Sequence, residues 1–126
     1  PFGNNVSGTI GNGTPGATTL PEWKATTRLA WTQGPVSASL RWVFLDEVVD
    51  RGATVANRAI PGIDAYNYFY GNVSFDVNET VQVFGGIDNL LDEEAPVYTN
   101  GFAYNTDPST YDVIGRFFYA GARLRF

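Results

Sequence analysis

The sequence predicts an all-β fold: an antiparallel, up-and-down run of five strands forming part of the wall of a transmembrane β-barrel. Three observations carry this reading. First, the stretch Tyr111 to Phe126 alternates from Phe118 onward. Phe118, Ala120, Ala122, Leu124 and Phe126 share one side, and Phe117, Tyr119, Gly121, Arg123 and Arg125 share the other. A period of two is the signature of a strand with one apolar face. Second, similar runs recur upstream, joined by connections that alternate between long and short. Third, the 126 residues are 44% apolar and 15% aromatic but only 17% charged, against about 25% charged in an average soluble domain.

Composition also excludes functions. Cysteine and histidine are absent. Disulfides, thiolate and imidazole metal sites and His-dependent triads go with them, and no cofactor is expected. Net charge is -5 with no basic run, so nucleic acid is not an expected partner. The sequence opens on Pro1 and lacks methionine. It therefore reads as a fragment of a longer chain, with a processed mature domain as the other option. No window approaches the roughly 20 apolar residues of a membrane helix. Barrel strands need only about 9–11 residues each and alternate, so low hydropathy is compatible with them.

In order, residues 1–21 are rich in Gly, Asn, Thr and Pro without periodicity and read as an outer loop ending at Pro21. The first strand is Trp23 to Thr32. Trp23, Ala25, Thr27, Leu29 and Trp31 are set against Lys24, Thr26, Arg28, Ala30 and Thr32. Gln33-Gly34-Pro35 supplies a tight turn. Val36 to Leu45 returns, with Val36, Ala38, Leu40, Trp42 and Phe44 opposing Ser37, Ser39, Arg41 and Val43, which completes a hairpin. A long charged loop covers about 46–65. Tyr66 to Val77 is the third strand, with Phe69, Gly71, Val73, Phe75 and Val77 on one face and Tyr68, Tyr70, Asn72, Ser74 and Asp76 on the other. After a short turn at Asn78-Glu79, Thr80 to Asn89 sets Val81, Val83, Gly85 and Ile87 against Gln82, Phe84, Gly86 and Asp88. A second long loop spans about 90–110, and the final strand follows. No domain boundary is expected within the chain.

Short turns at one end and long loops at the other are the asymmetry of an outer-membrane barrel, with short periplasmic turns and long outer loops. The aromatics agree with this. Trp31, Phe75 and Phe126 fall toward the short-turn boundary, and Trp23, Phe69 and Phe118 toward the other, as interfacial girdles do. A soluble β-sandwich packing the same apolar face inside would show the same alternation. Its function would be that of a secreted or surface binding module using its long loops. Five strands cannot close a barrel, which needs about eight. Open edges in lipid would leave unpaired N–H and C=O groups, so under the barrel reading further strands continue the sheet.

Four stretches together resemble the C-terminal end of a TonB-dependent outer-membrane receptor. Leu20-Pro21-Glu22-Trp23-Lys24 resembles the start of an earlier family strand. Gly85-Gly86-Ile87-Asp88-Asn89-Leu90-Leu91-Asp92 resembles the family's strand-to-turn stretch, with Leu91 where Phe is usual. Ser109 to Arg116 resembles the entry to the last strand, and Phe117 to Phe126 resembles that strand itself. The resemblance covers about residues 20–126. It implies that these are the last five strands of a barrel of about 22, whose lumen is plugged. It implies import of a scarce nutrient (an iron-siderophore, cobalamin or a saccharide) across the bacterial outer membrane. Implied partners are the remaining barrel and plug, outer-membrane lipid, the barrel-assembly machinery, and TonB through a segment with no counterpart here. Phe118, Leu124 and Phe126 would form the assembly signal.

Candidate sites follow from placement. Tyr66, Tyr68, Tyr70, Tyr98, Phe102 and Tyr104 would line an outer vestibule, where aromatics with a polar handle suit siderophore or sugar. The competing reading is an interfacial girdle with loop packing. Arg28, Arg41, Arg123 and Arg125 would face the lumen and plug, with Arg123 and Arg125 expected opposite carboxylates of the plug or barrel wall. Most of the thirteen acidic residues fall in the long loops. Asp92-Glu93-Glu94 offers hard oxygen ligands for Ca²⁺ but lacks the spacing of a calcium loop and reads as solvated. No carboxylate pair has the placement of a glycosidase, no nucleophile has a visible activating partner, and no catalytic residue is expected. Four Asn-X-Ser/Thr triplets, at Asn5, Asn12, Asn72 and Asn78, arise readily in so Asn- and Thr-rich a chain.

Overall fold

The structure, a computed structural model, describes residues 7–10, 19–50, 62–97 and 106–126. It is all-β, and no helix occurs among the described residues. The elements are β1 (Thr9–Ile10), β2 (Lys24–Gln33), β3 (Val36–Leu45), β4 (Val48–Asp50), β5 (Gly62–Ile63), β6 (Tyr66–Asp76), β7 (Val81–Asp88) and β8 (Phe117–Leu124). The five long strands form one sheet in the order β2-β3-β6-β7-β8. Strands adjacent in that order are also consecutive among the long ones, so the sheet is an up-and-down meander. It is open, with β2 and β8 at its edges.

Alternation sets the register. In the antiparallel β6–β7 pair, Gly71, Val73 and Phe75 stand opposite Ile87, Gly85 and Val83. In the β7–β8 pair, Val81, Val83, Gly85 and Ile87 stand opposite Leu124, Ala122, Ala120 and Phe118. One face is thus apolar across three strands. The other carries Asn72, Ser74 and Asp76 opposite Gly86, Phe84 and Gln82, then Gln82, Phe84, Gly86 and Asp88 opposite Arg123, Gly121, Tyr119 and Phe117. A slip of one residue would put every one of these side chains on the wrong face, which is why patterned strands hold their register.

The two short turns lie at one end of the sheet. Gly34, at φ 56°, makes the β2–β3 turn, and the carbonyl of Pro35 in that turn accepts the N–H of Asp76 at the end of β6 at 2.8 Å. In the β6–β7 turn, Asn78 caps the chain by accepting the N–H groups of Thr80 and Val81, both at 2.8 Å. The Thr80 carbonyl accepts the N–H of Arg125 at 2.8 Å, which places the end of the last strand beside the same turn.

The long connections hold more than loop. β1, β4 and β5 form a separate three-stranded sheet in the order β1-β4-β5, with β1 and β4 parallel and β4 and β5 antiparallel. Strands of two or three residues carry no readable period, so the stretches around Thr9, Val48 and Ile63 read as irregular in the sequence. Gly62 is required there, because a Cβ would sit 2.7 Å from the carbonyl oxygen of Val48.

The chain divides into two compact units. One comprises Pro1–Ala25, Phe44–Tyr66 and Glu94–Val113, and the other Thr26–Val43, Asn67–Glu93 and Ile114–Phe126. The first holds the small sheet and nearly all of the buried apolar side chains: Leu45, Val48, Ile63 and Tyr111. The second holds the bulk of the five long strands and very little core. Every residue of β2 is exposed, as is every residue of β8 except Gly121. On the apolar face Leu29 is 70% exposed, Trp31 52%, Val73 50% and Phe118 68%. Aromatic side chains stand toward both ends of that face. Trp31 and Phe75 are near the short turns, and the stacked pair Trp42–Phe69, with centroids 6.3 Å apart, lies farther along.

Candidate functional site

The polar face of the meander carries the richest chemistry. A groove of about 210 Å³ crosses all five strands and is lined by Arg28, Ser39, Arg41, Tyr70, Gly71, Asn72, Asp88 and Tyr119. Period-two alternation brings all of these but Gly71 to one face, and strand pairing brings them together. The Arg41 guanidinium lies 4.2 Å from the centroid of the Tyr70 ring on β6, a cation–π contact that fixes its position above that strand. The Ser39 hydroxyl donates to Asn72 Oδ1 at 3.1 Å. Tyr119 stands opposite Gly86 in the register and lies over it. A Cβ on Gly86 would collide with the Tyr119 hydroxyl oxygen. The reciprocal arrangement follows two pairs along, where the Phe84 ring covers Gly121 and a Cβ there would meet ring carbon at 2.6 Å. Each glycine gives the facing aromatic a flat floor of backbone, as aromatic cover of sheet glycines does.

The groove holds charges of both signs, with no ion pair joining any of them among the described residues. Among the described residues neither Arg28 nor Arg41 has a carboxylate within ion-pair distance, and Asp88 has no cationic partner. The predicted lumen-facing arginines thus divide. Arg28 and Arg41 line the groove. Arg123 and Arg125 lie at the short-turn end. There Arg123 donates to Gln82 Oε1 at 3.3 Å and stands 5.9 Å over the Phe84 ring. Arg125 reaches the carboxylate of Asp76 at 3.9 Å, and Gln82 donates to the same carboxylate oxygen at 2.8 Å.

The predicted vestibule aromatics are dispersed. Tyr70 lines the groove under Arg41. Tyr68 is 2% exposed and offers no surface to a ligand. Tyr66 belongs to the other unit, where its ring meets Tyr111 edge-on at 5.3 Å. Tyr98, Phe102 and Tyr104 lie outside the described residues. Of the proposed assembly-signal residues, Phe118 and Leu124 stand on the apolar face opposite Ile87 and Val81, and Phe126 is fully exposed.

Two loop clusters are built for structure. Asn89 is completely buried at φ 51°, a left-handed conformation that Asn tolerates. Its side-chain amide donates to the Glu93 carbonyl at 2.8 Å, and its Oδ1 accepts the Glu93 N–H at 2.9 Å. Asp92, at φ 58°, holds Arg116 through a backbone and a side-chain contact. Its carboxylate is thereby engaged, and no group of three carboxylates able to hold a metal ion occurs among the described residues. In the other unit, buried Asp107 accepts from the N–H of Thr19 at 2.9 Å and from the Thr19 hydroxyl. It also accepts from the N–H of Ser109 at 3.0 Å, the Ser109 hydroxyl, and the Thr110 hydroxyl at 3.1 Å. Burial pushes its carboxyl up, but the donors from Ser109 and Thr19 outweigh burial and hold it below the usual carboxylate range.

The groove residues that sequence reasoning did not assign to a binding site are Ser39, Gly71, Asn72, Asp88 and Tyr119. All but Gly71 lie on the face that the alternation assigns as polar. Their convergence with Arg28 and Arg41 depends on register, which a single sequence leaves open. Comparison of the chain with protein-family models, with curated proteins and with solved structures found no match.

Proposed function

We propose that this chain forms the last strands of the barrel wall of a TonB-dependent outer-membrane receptor, which imports a scarce nutrient such as an iron-siderophore, cobalamin or a saccharide. The observation that carries the reading is the bare apolar face of a five-stranded meander with aromatics toward both ends. In water, exposed apolar patches of that kind are rare on monomers. Against hydrocarbon they are the required surface.

Three further features support it. Both short turns and the end of β8 lie at one end of the sheet. Both edge strands, β2 and β8, are open, and in lipid they need partners, so the barrel would be completed by strands beyond these residues. The opposite face is polar and grooved, as a wet lumen requires. On this reading the chain lies in the bacterial outer membrane, contacts lipid and plug, and does no covalent chemistry. A soluble sandwich would instead cover Leu29, Trp31, Val73 and Phe118 with a second sheet, and all four are at least half exposed.

Extraction is the direct test. The protein carrying this chain is expected in the outer-membrane fraction and to need detergent to remain monodisperse. A folded, monodisperse preparation in plain buffer would refute the proposal.

A further inference from the structure

We propose that the groove on the polar face is a binding site for a small sugar acid, a hydroxylated ring carrying one carboxylate. The site is assembled before any ligand arrives. Arg41 is held above β6 by the Tyr70 ring, and Asn72 is held by Ser39. The hydroxyl end of the Tyr119 ring lies over Gly86 of β7, and Tyr119 lines the groove.

The spacing selects the ligand. Neighbouring strands lie about 4.8 Å apart. Arg41 lies against the Tyr70 ring of β6, the Tyr119 ring tip lies over Gly86 of β7, the next strand, and both line the same groove. A carboxylate on Arg41 and a pyranose ring stacked on Tyr119 therefore fit one small molecule. Arg supplies the bidentate donor pair that a carboxylate matches. An aromatic face suits the apolar side of a sugar ring. Asp88, on β7 and without a cationic partner among the described residues, accepts from ring hydroxyls. Arg28, on β2 in the same groove, adds a second cation on the carboxylate side. Two guanidiniums with no ion-paired carboxylate among the described residues favour an anionic ligand group. Asp88, with no cationic partner among the described residues, suits a ligand with donors at its other end. A neutral sugar would leave the arginines unanswered, and a bare inorganic anion would leave Asp88 and Tyr119 unused.

The inference rests on the proposed function in one respect, that the polar face borders water while the apolar face borders lipid. The test is calorimetric titration of the detergent-solubilised protein with galacturonate and, separately, with galactose. Galacturonate is expected to bind at least tenfold more tightly than galactose. Arg41→Gln and Arg28→Gln should each weaken galacturonate at least tenfold, and Arg41→Lys should be intermediate because it keeps charge without the fork. Asp88→Asn should weaken both sugars. Arg125→Gln removes the same charge outside the groove and should leave affinity unchanged. Strand circular dichroism and the thermal midpoint of each variant verify folding. Equal binding of the two sugars, or undiminished galacturonate binding in folded Arg41→Gln, would overturn the proposal. So would a groove already filled by a carboxylate of the protein's own chain, which would show as no binding at all. Selective galacturonate binding by a protein that stays soluble without detergent would uphold this site while refuting the barrel.

Discussion

Asp92 grips Arg116 twice across a sequence separation of 24: Oδ1 accepts the backbone N–H at 2.9 Å, and Oδ2 accepts the guanidinium at 3.2 Å. The strand-to-turn stretch Asn89–Asp92 is thereby clipped to the entry of the last strand. Gly115, at φ 79°, makes the approach possible, since a Cβ there would already crowd the same carboxylate oxygen at 3.3 Å. Both side chains are about half exposed, so the ion pair itself contributes little. The hydrogen bond from the backbone is the larger part. Asp92→Ala should cost about 1–2 kcal/mol and Asp92→Asn less, because the amide oxygen can still accept from Arg116 N–H. Chemical denaturation of the two variants measures the difference.

Asn89 should be less tolerant. Its buried amide makes reciprocal bonds to both backbone groups of Glu93, and its backbone is left-handed. Asn89→Asp replaces the donor to the Glu93 carbonyl with a negative oxygen and should destabilise by about 2–3 kcal/mol, in the range for an unsatisfied buried polar contact. Asn89→Gly relieves the backbone but loses both bonds, and its denaturation midpoint should fall between those of wild type and Asn89→Asp.

The Gly86–Tyr119 contact predicts a coupled defect. Gly86→Ala drives a methyl group into the Tyr119 ring, which must swing off the sheet. The stability cost is expected at about 1–3 kcal/mol, the usual range for overpacking. The near-ultraviolet dichroism of tyrosine should change with it. Galacturonate affinity should fall at least as far as in Tyr119→Ala, because the stacking platform is displaced in both.

Asp107 predicts an acid limb. Its carboxyl is held below the unfolded value of about 3.9, so the native state releases its proton at lower pH than the unfolded chain. The stabilisation is therefore complete above about pH 4 and is lost as pH falls through the native value. Asp107→Asn should be less stable than wild type at pH 7, and the gap should narrow below about pH 4. Thermal midpoints of both proteins across that range check the sign.

Much of the sheet is legible in the sequence because a period of two is sustained over 8 to 11 residues in each long strand. Val81, Val83, Gly85 and Ile87 declare a face on their own, and the register then pairs them with Leu124, Ala122, Ala120 and Phe118 as the pattern requires. The small sheet is not legible, since Thr9–Ile10 and Gly62–Ile63 are no longer than a single period of alternation. Nor is the Thr19–Asp107 contact, which spans 88 residues with nothing local to announce it. Tyr66, Tyr68 and Tyr70 look equivalent as an alternating triplet. One meets Tyr111, one is buried and one lies beneath Arg41. The groove stands between these cases: its face is readable, but its membership follows from strand order and the lie of Tyr119 over a glycine.

The central claim is that the apolar face meets lipid, and Trp31 tests it most directly. The chain has three tryptophans, so Trp23→Phe with Trp42→Phe leaves Trp31 as the only one in these residues. Trp31→Phe and Thr32→Trp added to that background move the indole to the polar face. The measurement is fluorescence quenching by bilayers of lipids brominated along their acyl chains, after reconstitution of the protein carrying this chain and with any further tryptophans replaced. The account predicts strong quenching of Trp31 and little quenching of the indole at position 32. Equal quenching at the two positions, or none at Trp31, would contradict it.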